Sequence, residues 1–245
     1  MNLSESIIIL TGSSGNLGNS MFTYFQDKVK FIYQLDINEN KSNQSNNSEF
    51  IKCDLTDYDN ISKIVDEVYS KENKPSVLIN NAGYIHNELI VNLTSKESPV
   101  HSLENWKKTI DINLNSVFNI SSNVIFNMVK NRIKGVIINI SSIASSGIAG
   151  QSAYSASKAA LNALSSVWSK ELGMFGIRCN SVSPGFIDTE STRTSLSESK
   201  LNSYKKNTSL GKLGNPENIC EGIKFIIENN YYTGSVLNID GGLKL

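Results

Sequence analysis

The sequence predicts an α/β fold: a doubly wound parallel sheet in a single domain, with helices on both faces. Three observations carry this. Short apolar runs alternate along the chain with longer segments of helical period. A glycine-rich turn, Thr11-Gly-Ser-Ser-Gly-Asn-Leu-Gly18, follows the first apolar run directly. An acidic residue, Asp36, closes the second run. Strands separated by helices form right-handed βαβ units, which bury a parallel sheet between helical layers.

In chain order, residues 7–10 (Ile-Ile-Ile-Leu) make the first expected strand, because an unbroken apolar run suits burial on both faces. Residues 31–35 make the second, and Phe50 and Ile51 begin a short third. Residues 77–79, 136–140, 177–182 and 235–239 supply the fourth to seventh. Helices are expected over 16–28, 57–71, 103–131, 153–174 and 216–229, where apolar positions recur at helical spacing. Residues 38–49 are polar and rich in Asn and Ser, so a loop is expected there. No internal repeat and no linker divides the chain.

Composition narrows the function. The chain has 245 residues, 39% of them hydrophobic, enough for one large core. Lys plus Arg and Asp plus Glu balance at 23 each, so no electrostatic footprint for nucleic acid or anionic lipid is expected. No apolar run approaches the ~20 residues of a membrane span, and no basic region precedes the first apolar stretch as in a secretory signal. Cys53, Cys179 and Cys220 are widely spaced and form no CxxC pair. Buried thiols in a reducing cytoplasm, with no metal site, are the expectation.

The glycine turn has the form of a phosphate cradle. Gly12 permits a tight turn, Gly15 lets backbone approach a pyrophosphate, and Gly18 lets helix and strand pack closely. The helix that follows points free N–H groups and its positive end at the anion. Asp36 then stands where a carboxylate takes the ribose hydroxyls of NAD and repels the 2′-phosphate of NADP. Gln34, Ile37 and Asn38 offer no offsetting cation and Lys41 is the nearest, so NAD(H) is favoured over NADP(H). The alternative is a ligand-free glycine turn beside a solvated strand-end aspartate.

Tyr154 and Lys158 are spaced to share one helix face, in Tyr-Ser-Ala-Ser-Lys. A tyrosine titrates near ~10, and bringing it to neutral pH takes roughly 4 kcal/mol of preference for the phenolate. An ammonium one turn away is a direct source of it. Ala156, Ala159 and Ala160 favour a helix and leave room for close approach. The pair Ser141-Ser142 lies a short loop upstream.

Together these residues resemble the short-chain dehydrogenase/reductase family. The matching motifs span nearly the whole chain: TGSSGNLG at 11–18, Asp36, CDLTD at 53–57, NNAG at 80–83, Asn113, Ser141-Ser142, YSASK at 154–158, SPGFIDT at 183–189 and NIDGG at 238–242. The resemblance implies a Rossmann-type sheet of about seven parallel strands in one domain over residues 1–245, in the order 3-2-1-4-5-6-7. It implies that Gly12, Ser14, Gly15, Asn16 and Leu17 hold the cofactor phosphates. Asp54 and Leu55 then flank the adenine, Asn80, Asn81, Ala82 and Gly83 pass near its ribose, and Pro184, Gly185, Ile187 and Thr189 wall the nicotinamide side.

In the mechanism the resemblance implies, Tyr154 is the general acid or base and Lys158 lowers its pKa and holds the nicotinamide ribose. A serine polarises the carbonyl oxygen, and Asn113 shapes a helix distortion that holds a water. Ser142 matches the family's serine but stands one residue closer to Tyr154 than is usual, whereas Ser141 keeps the usual spacing. Ser142 is favoured, because a one-residue loop deletion costs little. Asn115 is a decoy for Asn113, and His86 and His101 are expected on a surface loop near the cleft rim.

Two features depart from the family's usual short-chain pattern. The glycine spacing is TGxxGxxG, and the segment between Tyr84 and Trp106 is long. A similar combination occurs among short-chain enzymes of bacterial surface-sugar and flagellin-modification pathways. The polar stretch 190–213, expected as a mobile lid, suits a hydroxylated substrate. The leading expectation is therefore an NAD(H)-dependent alcohol dehydrogenase or ketoreductase for a small polar, sugar-derived molecule. The alternatives are an NADPH-dependent 3-oxoacyl-(acyl-carrier-protein) reductase and a catalytically silent dinucleotide-sensing scaffold. The resemblance also implies a homotetramer or homodimer formed through the two long helices, with Ala160, Leu161, Ala163, Leu164 and Trp168 supplying apolar contacts.

Overall fold

The apolar runs become the middle of one parallel sheet. A computed structural model describes residues 1–40, 45–96, 98–195 and 198–243. After a 3-10 turn at Leu3–Glu5, β1 (Ile7–Thr11) leads through the glycine turn into α1 (Asn16–Phe25) and β2 (Phe31–Asp36). Then come β3 (Ser48–Lys52), α2 (Tyr58–Ser70) and β4 (Val77–Asn80). The next helical stretch comprises α3 (Leu103–Ile110), a π-turn (Asp111–Asn115) and α4 (Ser116–Lys130). It is followed by β5 (Gly135–Ile140), α5 (Ser152–Leu172), β6 (Ile177–Pro184), α6 (Glu190–Ser195), α7 (Glu198–Asn207), α8 (Pro216–Glu228) and β7 (Val236–Ile239).

All neighbouring strands are parallel, in the order β3-β2-β1-β4-β5-β6-β7. The order reverses between β1 and β4, and ligands of such sheets bind beyond the carboxyl ends at that reversal. Every residue of β1, β4 and β5 is buried, as expected for unbroken apolar runs. Alternation along each strand divides the core in two. Ile8, Leu10, Ile79 and Ile138 meet Met21, Phe22 and Phe25 of α1 and Ile219, Ile223 and Ile226 of α8. Ile7, Ile9, Leu78 and Ile137 meet Ile61 and Val65 of α2, Ile120 and Val124 of α4, and Trp168 and Leu172 of α5.

The helix foreseen over 103–131 carries the π-turn, at the place where the distortion around Asn113 is expected. One boundary needs correction. The loop foreseen over 38–49 yields its last two residues to β3, where Ser48 and Glu49 pair with Ile32 and Tyr33; Lys41 lies outside the described residues. The stretch 190–213 holds two helices, α6 and α7, with residues 196 and 197 outside the described set. Among the described residues no helix is long and apolar enough to cross a membrane, and no group of three His, Cys, Asp or Glu side chains is placed to hold a metal. Cys53, Cys179 and Cys220 are free and buried.

A line of buried amides and hydroxyls crosses the sheet near its carboxyl edge. Asn80 Nδ2 donates to Ser121 Oγ at 2.9 Å and to Asn139 Oδ1 at 2.8 Å. Asn139 Nδ2 donates to Ser165 Oγ at 2.9 Å, and Ser165 and Ser181 hydroxyls pair at 2.8 Å. This ties α4, β4, β5, α5 and β6 at one level, and removing one member leaves others buried without partners.

At the glycine turn, two residues have no space for a side chain. Gly12 has φ +63°, and a Cβ there would stand 2.7 Å from Ala82 Cα. A Cβ on Gly18 would stand 2.0 Å from the Gly12 carbonyl oxygen. Because that neighbour is backbone, Gly18→Ala should cost about 1–3 kcal/mol of stability, an overpacking penalty. Urea unfolding should show a lower midpoint with an unchanged slope, whereas a wild-type midpoint would contradict the packing described.

Candidate active site

A cleft of about 1100 Å³ opens beyond the carboxyl ends of β1, β4, β5 and β6. Typical small-molecule pockets are ~300–1,000 Å³, so this one has room for a dinucleotide-sized ligand together with a small substrate. Its walls gather Gly12, Ser14, Gly15, Asn16, Leu17, Asp36, Asp54, Leu55, Asn81, Ala82, Gly83, Ser142, Tyr154, Lys158, Pro184, Gly185, Ile187 and Thr189, each expected from the sequence. Asn80 and Asn113 are not among the lining residues. Asn80 lies 1% exposed in the polar line beneath the cleft, so it shapes the floor from below.

The phosphate end is built by mutual contact of two loops. Asn81 Nδ2 donates to the carbonyls of Thr11 at 3.1 Å and Gly12 at 3.0 Å, and its N–H meets Thr11 Oγ1 at 3.0 Å. Gly15 is the N-cap of α1 and carries no capping side chain, leaving the first-turn N–H groups to a ligand. A Cβ on Gly15 would meet only the Gly12 carbonyl oxygen, at 3.5 Å, so the turn stays open toward the cleft. At the far end, Asp36 Oδ2 accepts the Ser14 N–H and Oδ1 the Asn38 N–H, both at 3.0 Å. The carboxylate is thereby held beside the glycine turn. These donors and this carboxylate fit a dinucleotide.

At the other end, α5 presents Tyr154 and Lys158 on one face. Tyr154 is 9% and Lys158 4% exposed. Lys158 Nζ donates to the Ile140 carbonyl at 2.7 Å and lies 5.5 Å from the centre of the Tyr154 ring. Burial pushes the Lys158 pKa down to about 8. Burial also raises the Tyr154 phenol above its ordinary value, and a hydrogen bond from Ser142 acts in the opposite direction. In this structure the ammonium turns to the Ile140 carbonyl, and the Ser142 hydrogen bond is the contact that favours the phenolate.

Backbone direction separates the two serines. Ser141 continues β5, its N–H bound to the Val182 carbonyl and its hydroxyl to the Lys158 carbonyl at 3.0 Å. Ser142 points the other way, capping a 3-10 turn at the Ala144 N–H and reaching Tyr154. Asn113 is fully buried within the π-turn. Its Nδ2 donates to Tyr84 O at 2.7 Å and Thr109 O at 2.9 Å, and its Oδ1 accepts the Tyr84 N–H at 3.1 Å. The expected helix distortion is present, and Asn113 clamps the strand β4 exit to it. Asn115 is exposed, and its Nδ2 donates to Asp111 Oδ1 at 3.1 Å, outside the cleft lining.

Gly185 passes so close to β7 that a Cβ would stand 2.7 Å from Asp240 Cα, which explains the glycine of SPGFIDT. Ile187 is 8% exposed and bridges Gly214. Over this wall Phe186 stacks on Tyr204 of α7, ring centres 3.5 Å apart. The outer cleft also presents Ile85, Ile143, Ile148 and Gln151. Sequence reasoning missed these four, because no spacing rule links residues from separate loops. His86 and His101 lie in the expected loop but converge on Glu88, and the His101 side chain is only 7% exposed rather than at the surface. Tyr24 of α1 and Lys28 just beyond it share the four-residue spacing but are not among the cleft's lining residues, Tyr24 bonding Glu221.

The buried ammonium has a stability signature. The Lys158 pKa falls from 10.5 to about 8, a difference of about 3 kcal/mol in favour of the neutral form. Between these values the unfolded chain binds more protons, so this residue's contribution to stability rises with pH there and is constant below pH 8. Without nucleotide, Lys158→Met should therefore be the more stable protein at pH 7, with an advantage that shrinks as pH rises above 8. Chemical denaturation across this range checks it, and a destabilised variant at pH 7 would contradict it.

The family model described as enoyl-(acyl carrier protein) reductase matches residues 22–244. The chain is 35% identical to the 3-oxoacyl-(acyl-carrier-protein) reductase FabG of Thermotoga maritima, covering 99% of both chains. It is 30% identical to the sorbitol-6-phosphate 2-dehydrogenase of Klebsiella pneumoniae, covering 99% of this chain and 97% of that one. A solved structure, 4-hydroxyisoleucine dehydrogenase complexed with NADH, superposes with a TM-score of 0.84 at 31% identity, covering 97% of this chain and 98% of that one. The chain belongs to the short-chain dehydrogenase/reductase family and is an oxidoreductase acting on CH–OH groups.

Proposed function

We propose that the chain reduces the ketone of a 3-oxoacyl thioester to a secondary alcohol, with NADH as its preferred cofactor. The observation that carries the substrate class is the apolar outer cleft. Ile85, Ile143, Ile148 and Phe186 line the same cleft as Tyr154. An acyl chain loses unfavourable contact with water against these side chains, whereas a polyol would leave hydroxyls unpaired. The 3-oxoacyl reductase relatives support the same class. This replaces the sugar-derived substrate as the leading reading. The Asp36 carboxylate supports NADH, since it would repel a 2′-phosphate.

The bound nicotinamide supplies the hydride, and this chain supplies the proton and the geometry. Tyr154 donates its phenolic proton to the carbonyl oxygen as that oxygen gains charge. Ser142, capped onto the Ala144 N–H, holds the same oxygen from the other side. Lys158, whose pKa of about 8 lies near neutrality, gives up a proton more readily than an exposed lysine and restores the phenol. Asn113 holds the wall behind it: its Oδ1 and Lys158 Nζ flank Gly83, where a Cβ would stand 3.0 and 3.6 Å from them.

The protein acts in the cytoplasm, a reading supported by its three free, buried cysteines. It works as a homodimer or homotetramer, supported by the apolar surface of α4 and α5. Phe118 and Phe126 are 55% and 63% exposed there. Of the positions first expected to make such contacts, Leu161 and Trp168 serve the chain's own core. A second reading, a ketose- or sugar-phosphate dehydrogenase, is favoured by Gln151 and Thr192 on the cleft wall and by the sorbitol-6-phosphate relative.

Steady-state rates with a 3-oxoacyl thioester and with a ketose phosphate, each with NADH and NADPH, test these readings. The thioester with NADH should give a kcat/KM at least tenfold above every other pair. Faster ketose turnover would establish the second reading instead, and a preference for NADPH would overturn the role given to Asp36.

A further inference from the structure

The long segment between β4 and α3 is tied down by one carboxylate. Glu88 Oε1 accepts the Ser102 backbone N–H at 2.8 Å. Its Oε2 accepts Asn105 Nδ2 at 3.1 Å, with His86 Nε2 at 2.9 Å and His101 Nδ1 at 3.6 Å. His101 Nδ1 also lies 3.0 Å from the Ser102 carbonyl, which can only accept, so that nitrogen carries its proton. The Glu88 backbone faces the opposite way. Its N–H donates to the Gly150 carbonyl at 2.7 Å, and residues 88 and 151 form a parallel bridge. Beside it, Gln151 Nε2 donates to Asn87 Oδ1 at 2.8 Å.

One residue therefore joins three pieces of chain: the exit of β4, the start of α3 and the turn that precedes α5. Each contributes to the outer cleft, through Tyr84 and Ile85, through Lys108, and through Ile148 and Gln151. The pieces otherwise leave much apolar surface in water, with Leu89 51%, Ile90 69% and Leu103 64% exposed, so burial does little to hold them. Polar contacts must do so. The donors hold the Glu88 carboxyl down at about 2, so it is ionised throughout the working pH range.

We propose that Glu88 is a positioning residue that fastens the segment after β4 to the turn before α5 and thereby fixes the substrate entrance. This rests on the carbonyl-reducing reading of the same cleft. Glu88 touches neither Tyr154 nor the cofactor end, so its loss should weaken substrate binding and spare the chemistry. Replacing one carboxylate oxygen with an amide sets a donor against the His86, Asn105 or Ser102 donors.

The test uses Glu88→Gln and Glu88→Asp in the full chain, with two readouts. In Glu88→Gln, hydrogen exchange at the amides of residues 88 and 102 should quicken at least tenfold, with β1 and β5 unchanged. The substrate KM should rise five- to tenfold while kcat and NADH affinity stay within twofold. Glu88→Asp keeps the charge with one methylene fewer and should fall between; it also serves if the amide variant does not fold. Unchanged exchange at 88 and 102 overturns the proposal, as does unchanged KM, or an equal loss of kcat and NADH binding. Should the wild-type protein reduce no carbonyl substrate, the proposed function fails, and exchange alone decides whether Glu88 fastens the entrance.

Discussion

Lys158 carries an amino group to the floor of the cleft, where only 4% of the residue meets solvent and the Ile140 carbonyl is its partner at 2.7 Å. Burying a charge with one neutral partner is costly, and much of the surrounding architecture makes that position tenable. Ile140 must end β5 at that level, so the register of β4, β5 and β6 is constrained. The Ser141 hydroxyl binds the Lys158 carbonyl and fixes α5 against the same strand. A Cβ on Gly83 would press on Asn113 Oδ1 at 3.0 Å, while Lys158 Nζ at 3.6 Å would be in ordinary contact. What the site loses in stability is offset by two apolar cores on either face of the sheet, each continuous across five or more elements.

The opposite end of the cleft depends on close packing rather than charge. Gly12, Gly18 and Ala82 meet with no room for a further carbon, and Asn81 closes the contact through three hydrogen bonds. The departure from the usual glycine spacing leaves this intact. Gly15 remains the open N-cap of α1, while Asn16 takes the first helical position, where any residue with a suitable φ is accommodated. The π-turn links the two ends. By admitting one extra residue per turn, it lets Asn113 reach back to the Tyr84 carbonyl while α4 continues.

Much of this was legible in the sequence because it follows local rules. The run Ile7 to Leu10 is buried on both faces, and its alternation assigns Ile7 and Ile9 to one core and Ile8 and Leu10 to the other. The glycines and Asp36 were legible because backbone geometry and charge restrict those positions strongly. Spacing alone carried less: Tyr24 and Lys28 repeat the interval of Tyr154 and Lys158 outside the cleft. Choosing between Ser141 and Ser142 required the direction of the chain after β5. Leu161 and Trp168 show the reverse problem, since apolar periodicity does not distinguish a core from an interface. Glu88 was not legible, because its partners at 86, 101, 102, 105 and 150 come together only when three loops fold.

Tyr154 is proposed to transfer the proton in a cleft that binds the nicotinamide independently of it. The most direct test is Tyr154→Phe, measured for NADH affinity by nicotinamide fluorescence and for turnover of the best carbonyl substrate. Positioned acid–base groups contribute about 10²–10⁴-fold, so turnover should fall by that factor while NADH affinity stays within about threefold. Turnover near the wild-type rate with the phenylalanine in place would contradict the account.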